Sequence, residues 1–194
     1  MFNRVEKPVQ DPFAARIAQL CGCNLNTGPW IAGGVARLLW FGEDYTDHDI
    51  DVFFPDSNSA YNAYKELEKD CGCSAYNTQN ACTFTLDRDG KEQKVQLINR
   101  NRYQSLDKLF CYFDFTVCRF ATDGRTLVSD TKTIEHCEKK QLQFNITSQQ
   151  EISPFRVMKY SAYGFETDNY IFKKLVAKYL ENPHEFHKDP EYNV

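Results

Sequence analysis

The stretch that most constrains this chain runs from Ile31 to Phe54, IAGGVARLLWFGEDYTDHDIDVFF. Ile31 and Ala32 read as the end of a strand. Gly33 and Gly34 follow, and without Cβ atoms they let backbone N–H groups approach a ligand closely. Val35, Leu38, Leu39 and Phe41 recur at helical spacing, which aims a helix N-terminus and its partial positive charge at the same spot. A phosphate fits there, with Arg37 one helical turn on to neutralise it. Asp49, Ile50, Asp51 and Val52 then alternate with period two, so a strand would carry both carboxylates on one face and both apolar side chains on the other. Neighbouring carboxylates repel unless a cation lies between them, and Mg²⁺ prefers oxygen ligands completed by substrate phosphates. Asp47 would add a third charge to that face.

Each part also has a plainer reading. Gly-Gly is commonly a tight turn, and Asp-x-Asp can be a solvated strand face. Asp114 is harder to dismiss, because it sits in the run from Phe110 to Phe120, too apolar for a surface strand. An unpaired carboxylate there would cost several kcal/mol, roughly, or lose its charge.

Gly33-Gly34, the spacer and Asp49-x-Asp51 together resemble the signature of the nucleotidyltransferase superfamily, which includes DNA polymerase beta, poly(A) polymerases, CCA-adding enzymes and minimal antitoxin-type transferases. Viral and phage nucleotidyltransferases look similar in the same segments. The resemblance spans about the first two thirds of the chain; its spacer is slightly longer than usual, and Gly34 replaces a frequent Ser. It implies an α/β (α+β) fold, a mixed sheet flanked by helices, and transfer of an NMP group from an NTP to an acceptor hydroxyl with release of pyrophosphate. It also implies Mg²⁺ or Mn²⁺ held by Asp49, Asp51 and a third carboxylate from a later strand, for which Asp114 is the candidate and also the candidate general base. Gln96 stands where many relatives carry a carboxylate on the neighbouring strand. That leaves room for a nucleotide-binding protein without turnover, and acidic patches leave room for a protein-interaction or inhibitor module. The acceptor is open: an RNA end such as tRNA, a protein or a small molecule.

Composition narrows the setting. The 194 residues are 42% hydrophobic, enough for a sizeable core, and contain no apolar run of about 18 residues that would span a membrane. The N-terminus MFNRVEKPVQ lacks the apolar centre of a secretory signal, so a cytoplasmic protein is expected, in the host cytoplasm if the source is viral. A net charge of −4 argues against a generic nucleic-acid coat, which needs clustered positive charge. The eight cysteines include Cys-Gly-Cys at Cys21 to Cys23 and Cys71 to Cys73, a spacing too short for the usual zinc knuckle. Cys82, Cys111 and Cys118 lie in apolar contexts, and reduced structural thiols are the favoured reading.

The remaining periodicity predicts a core over residues 1–150 and a helical segment over 151–194. Helices are expected from Asp11, capped by that residue, over Ser57 to Asp70, capped by Ser57 or Ser59, over Tyr103 to Tyr112 and over Thr131 to Lys140. Cys82 to Asp87 and Glu92 to Ile98 read as a hairpin turning at Asp89-Gly90, and Leu142 to Ile146 as extended. Ser153-Pro154 starts a helix on which Phe155, Met158, Ala162 and Phe165 form an expected core stripe. Arg156, Lys159, Tyr160 and Tyr163 fall on another face. That face either lines a nucleotide cleft, Arg156 and Lys159 on phosphates and Tyr160 on a base, or is merely solvated. On the last helix Lys173, Lys174 and Lys178 oppose Phe172, Leu175, Val176 and Tyr179, with the lysines toward solvent.

Overall fold

A computed structural model describes residues 2–72, 75–148 and 153–181. The chain forms two compact units, one of Met1–Phe110 with Cys118–Thr131 and one of Cys111–Val117 with Lys132–Val194. The boundary thus crosses the chain around residues 111–117 and 131, whereas the sequence suggested a single cut after residue 150. No helix among the described residues is long and apolar enough to cross a membrane.

The first unit is a mixed eight-stranded sheet with helices on it. Its elements are β1 (Arg4–Pro8), α1 (Pro12–Leu20), β2 (Trp30–Ala32), α2 (Gly34–Phe41), β3 (Ile50–Phe53), α3 (Ser57–Cys71), β4 (Tyr76–Asn77), β5 (Ala81–Arg88) and β6 (Lys91–Ile98). The helix α4 (Leu106–Tyr112) leads out of it, and β7 (Ala121–Thr122) and β8 (Thr126–Asp130) complete it. The strand order is β1-β8-β7-β2-β3-β6-β5-β4, with β3 and β6 parallel and the other pairs antiparallel.

Alternation sets which face is buried. Ile50 and Val52 of β3, Phe84 and Leu86 of β5 and Val95 and Leu97 of β6 join Ile17 of α1, Val35 and Leu38 of α2 and Ala63 and Leu67 of α3 in one core. Each large side chain so buried contributes about 1.5–3 kcal/mol relative to exposure. Asp51, between Ile50 and Val52, therefore faces away from that core. The hairpin turns at Asp89 (φ +55°) and Gly90 (φ +83°), the left-handed pair a two-residue turn requires. Asp11 caps α1 by accepting the Ala14 N–H at 2.7 Å. The cap of α3 is Asp56, one residue before Ser57, the first of the two expected caps; its carboxylate accepts the Ser59 N–H at 2.8 Å.

The second unit holds α5 (Thr131–Glu138, entered from the first unit), β9 (Gln141–Leu142), α6 (Pro154–Ala162), β10 (Glu166–Thr167) and α7 (Asn169–Glu181). Polar contacts organise it. Asn145 is fully buried; its amide donates to the Phe113 carbonyl at 2.7 Å and its backbone N–H to the Asp114 carbonyl at 2.7 Å. The Thr133 hydroxyl donates to the Thr116 carbonyl, and Thr116 Oγ1 lies 2.8 Å from His136 Nδ1.

Ser153 caps α6 as expected, but the helix buries Val157 and Tyr160 and leaves Met158 68% exposed. The expected core stripe was anchored on Phe165, which is not helical: α6 ends at Ala162, and Gly164 at φ +80° turns the chain back so that Phe165 is buried from outside the helix. On α7 only Ile171 is buried, and the expected apolar face is largely exposed, with Phe172 at 62% and Tyr179 at 50%.

Candidate functional site

Asp49 and Asp51 stand at the start of β3, a strand flanked by β2 on one side and β6 on the other. The antiparallel register Trp30↔Phe53 and Ile31↔Val52 carries the chain out of β2 into Gly33-Gly34 and brings that glycine turn beside the start of β3. The strand is held in place from within: Ile50 and Val52 are fully buried, and the Gln93 amide, itself 1% exposed, donates to the His48 carbonyl at 2.6 Å. Asp51 is half-buried and Asp49 exposed. Asp49 immediately precedes β3, and Asp47 lies in the turn two residues before it.

Gly33 adopts φ +85° and ψ −133° at the N-cap of α2, a conformation open to glycine and strained for other residues. Its N–H donates to the Phe120 carbonyl at 2.9 Å and its carbonyl accepts the Arg37 N–H at 3.0 Å, so Gly33 locks the helix start to β7's approach. The space beside Gly34 is open, with no atom within 4 Å of where a Cβ would be. The first N–H groups of α2 point out of the helix here and are the ones left for an anion. Arg37 is buried, at 6% exposure.

Gln96 of β6 lies directly opposite Asp51 in the parallel register, and its Nε2 donates to Asp49 Oδ2 at 2.6 Å. The two carboxylates and this amide form one group on the sheet. Among the described residues, no three or more His, Cys, Asp or Glu side chains come together as a metal site.

Asp114 is on a bend before a 3-10 turn (Thr116–Cys118), where the sequence suggested a strand. Its carboxylate is bracketed by Arg156, with Nε to Oδ2 at 2.6 Å and the guanidinium NH2 nitrogen to Oδ1 at 3.0 Å, and it also accepts the Phe115 N–H at 2.9 Å. The cation that this buried charge demanded is thus present in its own unit as a guanidinium. Tyr160 is buried in an aromatic group with Phe115, Tyr163 and Phe165, whereas Lys159 is exposed.

One cluster was not legible in the sequence. The Asp11 carboxylate caps α1, accepts the Tyr45 hydroxyl at 2.8 Å and pairs with Arg88 at 3.1 Å, and the Arg88 guanidinium stacks 4.1 Å over the Tyr45 ring. Burial, then the Asp11 hydrogen bond, pushes the Tyr45 hydroxyl pKa up. This cluster fastens the α2-to-β3 segment that delivers Asp49. Burial likewise pushes the Cys21 thiol up to about 12, leaving it protonated and a poor ligand. Cys73 lies outside the described residues.

The family model of Gabija anti-defense 2 proteins matches residues 4–140. The chain belongs to that family. It is 31% identical over 136 residues to Gabija anti-defense 2 of Bacillus phage SPbetaL7, a match covering 68% of this chain and 32% of that protein. The chain thus spans about a third of that relative's length. Among solved structures it is similar to a Thermotoga maritima CCA-adding enzyme complexed with tRNA (TM-score 0.61, 16% identity, 92% of this chain and 46% of that one). A CCA-adding enzyme with ATP gives a TM-score of 0.63 at 14% identity, over 95% and 47% of the two chains. A tRNA nucleotidyltransferase complexed with a primer tRNA and an incoming ATP analogue gives 0.56 at 19% identity, over 87% and 51%. The family member therefore has a nucleotidyltransferase-like fold, a large mixed sheet flanked by helices, and spans about half the length of those chains.

Proposed function

We propose that this protein is a metal-dependent nucleotidyltransferase that moves an NMP group from an NTP to an acceptor hydroxyl, releasing pyrophosphate, and that this transfer serves the anti-defense role for which its family is named. The observation that carries the reading is the pairing of Asp49 and Asp51 on a central strand beside the Gly33-Gly34 start of α2, in a fold shared with CCA-adding enzymes. The donor set is hard carboxylate oxygen without thiolate or imidazole, which suits Mg²⁺ or Mn²⁺ over softer metals. Bound there, the cation would neutralise triphosphate charge and lower the pKa of the acceptor hydroxyl.

The chain's own groups do the rest. Asp49 and Asp51 would hold the cation, and the N–H groups at the start of α2 would receive phosphate oxygens. Lys159, exposed on α6, is proposed as a further phosphate contact. The ligand and base roles expected of Asp114, and the phosphate role expected of Arg156, each require their mutual pair to open. The acceptor is taken to be an RNA end, a protein or a small molecule; the CCA-adding likeness favours RNA.

A second reading is supported by the neutral Gln96 amide on Asp49 and by the family description: an inhibitor that keeps the fold, binds nucleotide and does not turn it over. A third, a protein-docking module, draws on the large apolar side chains exposed on α7. Incubation with each α-labelled NTP, Mg²⁺ or Mn²⁺ and a bacterial extract separates them. Label entering RNA, protein or a small molecule, and lost in Asp51→Asn, supports the transferase. Nucleotide binding without transfer supports the inhibitor, and neither leaves the docking module.

A further inference from the structure

We propose that Gln93 is a positioning residue for Asp49, holding the peptide ahead of it so that its carboxylate is presented to a divalent cation. The inference rests on the metal-site reading above and goes beyond it to a residue on the core face of the sheet. Pairing between β3 and β6 begins at Ile50↔Val95, so His48 and Asp49 lie ahead of the paired strand, and Asp49 is exposed. The same register carried back two residues sets Gln93 level with His48. There the Gln93 amide donates to the His48 carbonyl at 2.6 Å, and the His48 N–H donates to the Tyr45 carbonyl at 2.9 Å. The residue before Asp49 is thus tied both to β6 and to its own preceding turn.

Burial makes an amide a costly choice at this position. Gln93 is 1% exposed and shares its strand face with Val95 and Leu97, opposite Leu86 of β5, all three buried and apolar. Its Oε1 is buried and makes no hydrogen bond among the described residues. A buried acceptor without a partner lowers stability, so packing alone favours an apolar side chain here. What the amide supplies in return is one N–H on the segment that delivers Asp49. A local rule broken next to a site, with the loss borne by the core, marks a residue placed for function. A ligating carboxylate must be held in orientation as well as in place, which gives such an outer contact its leverage.

The test is Mn²⁺ binding to the nucleotide-free protein, read from the free-ion signal in electron paramagnetic resonance, with urea unfolding of the same samples. Gln93→Met keeps the length of the side chain and removes both the donor and the unpaired acceptor. It should weaken Mn²⁺ binding by about tenfold, as on loss of an outer partner, with an unfolding midpoint equal to or above that of the wild type. Because Gln93 acts through Asp49, adding Gln93→Met to Asp49→Asn should change the remaining affinity by less than about twofold. Unchanged affinity in Gln93→Met, or an affinity loss that persists in full in the Asp49→Asn background, would overturn the inference and leave Gln93 a packing residue beside an intact site. Failure of the wild type to bind Mn²⁺, with Asp51→Asn identical to it, is a different result, which removes the metal site and the inference with it.

Discussion

The two units solve the burial of charge in opposite ways. In the first, a continuous apolar core under the sheet fixes the backbone so firmly that Asp49 and Asp51 can be presented side by side on the outer face. In the second, a buried carboxylate is itself the organiser, with Arg156, Asn145 and the Phe115 N–H gathered on the Asp114 turn. The apolar residues follow suit. Among the described residues, eight of the eleven large hydrophobics exposed at the surface, from Ile146 to Leu180, belong to the second unit. Asp49 is exposed to solvent, whereas the Asp114 carboxylate is neutralised by Arg156 and serves stability.

That contrast can be broken by substitution. Asp51→Asn should lower label transfer by about 10²-fold or more, the scale of losing a catalytic metal, without lowering thermal stability, since like-charge repulsion is relieved. A radiolabel transfer assay with parallel melting checks both halves. Arg156→Ala should do the reverse, destabilising by about 3–5 kcal/mol by stranding the buried Asp114 carboxylate. Urea unfolding measures this, and the double variant with Asp114→Asn should recover part of the loss. Tyr45→Phe removes one bond to the Asp11 carboxylate and should cost about 1–2 kcal/mol in the same assay. Leu180→Ser, on the exposed side of α7, should change stability by no more than about 0.5 kcal/mol. A larger loss would mean that this side chain is covered, and the difference between the units would shrink.

Much of the first unit was readable because its core strands alternate cleanly. The hairpin from Ala81 to Ile98 and the Gly33-to-Asp51 segment each carry their own local signal of turn residues and period. β1 was missed because an exposed edge strand such as Arg4–Pro8 has a single apolar residue, Val5, and ends in a proline. β7 and β8 are short and flank a turn at Gly124, too little chain for a period to register. The second unit resisted for a different reason. Arg156 lies 42 residues from Asp114 and Asn145 32 from Phe113, so no spacing rule links them. The sequence reading assigned Asp114 to a divalent cation and did not foresee its guanidinium partner, Arg156.

The central claim is that Asp49 and Asp51 couple a divalent cation to a nucleoside triphosphate. Isothermal titration of the wild type and of Asp51→Asn with each NTP, in Mg²⁺ and in a chelator, tests it directly. NTP binding should require Mg²⁺ and weaken by at least about tenfold in Asp51→Asn, in line with the loss of a metal ligand. NTP binding of equal strength with and without Mg²⁺, or undiminished in Asp51→Asn, would contradict it.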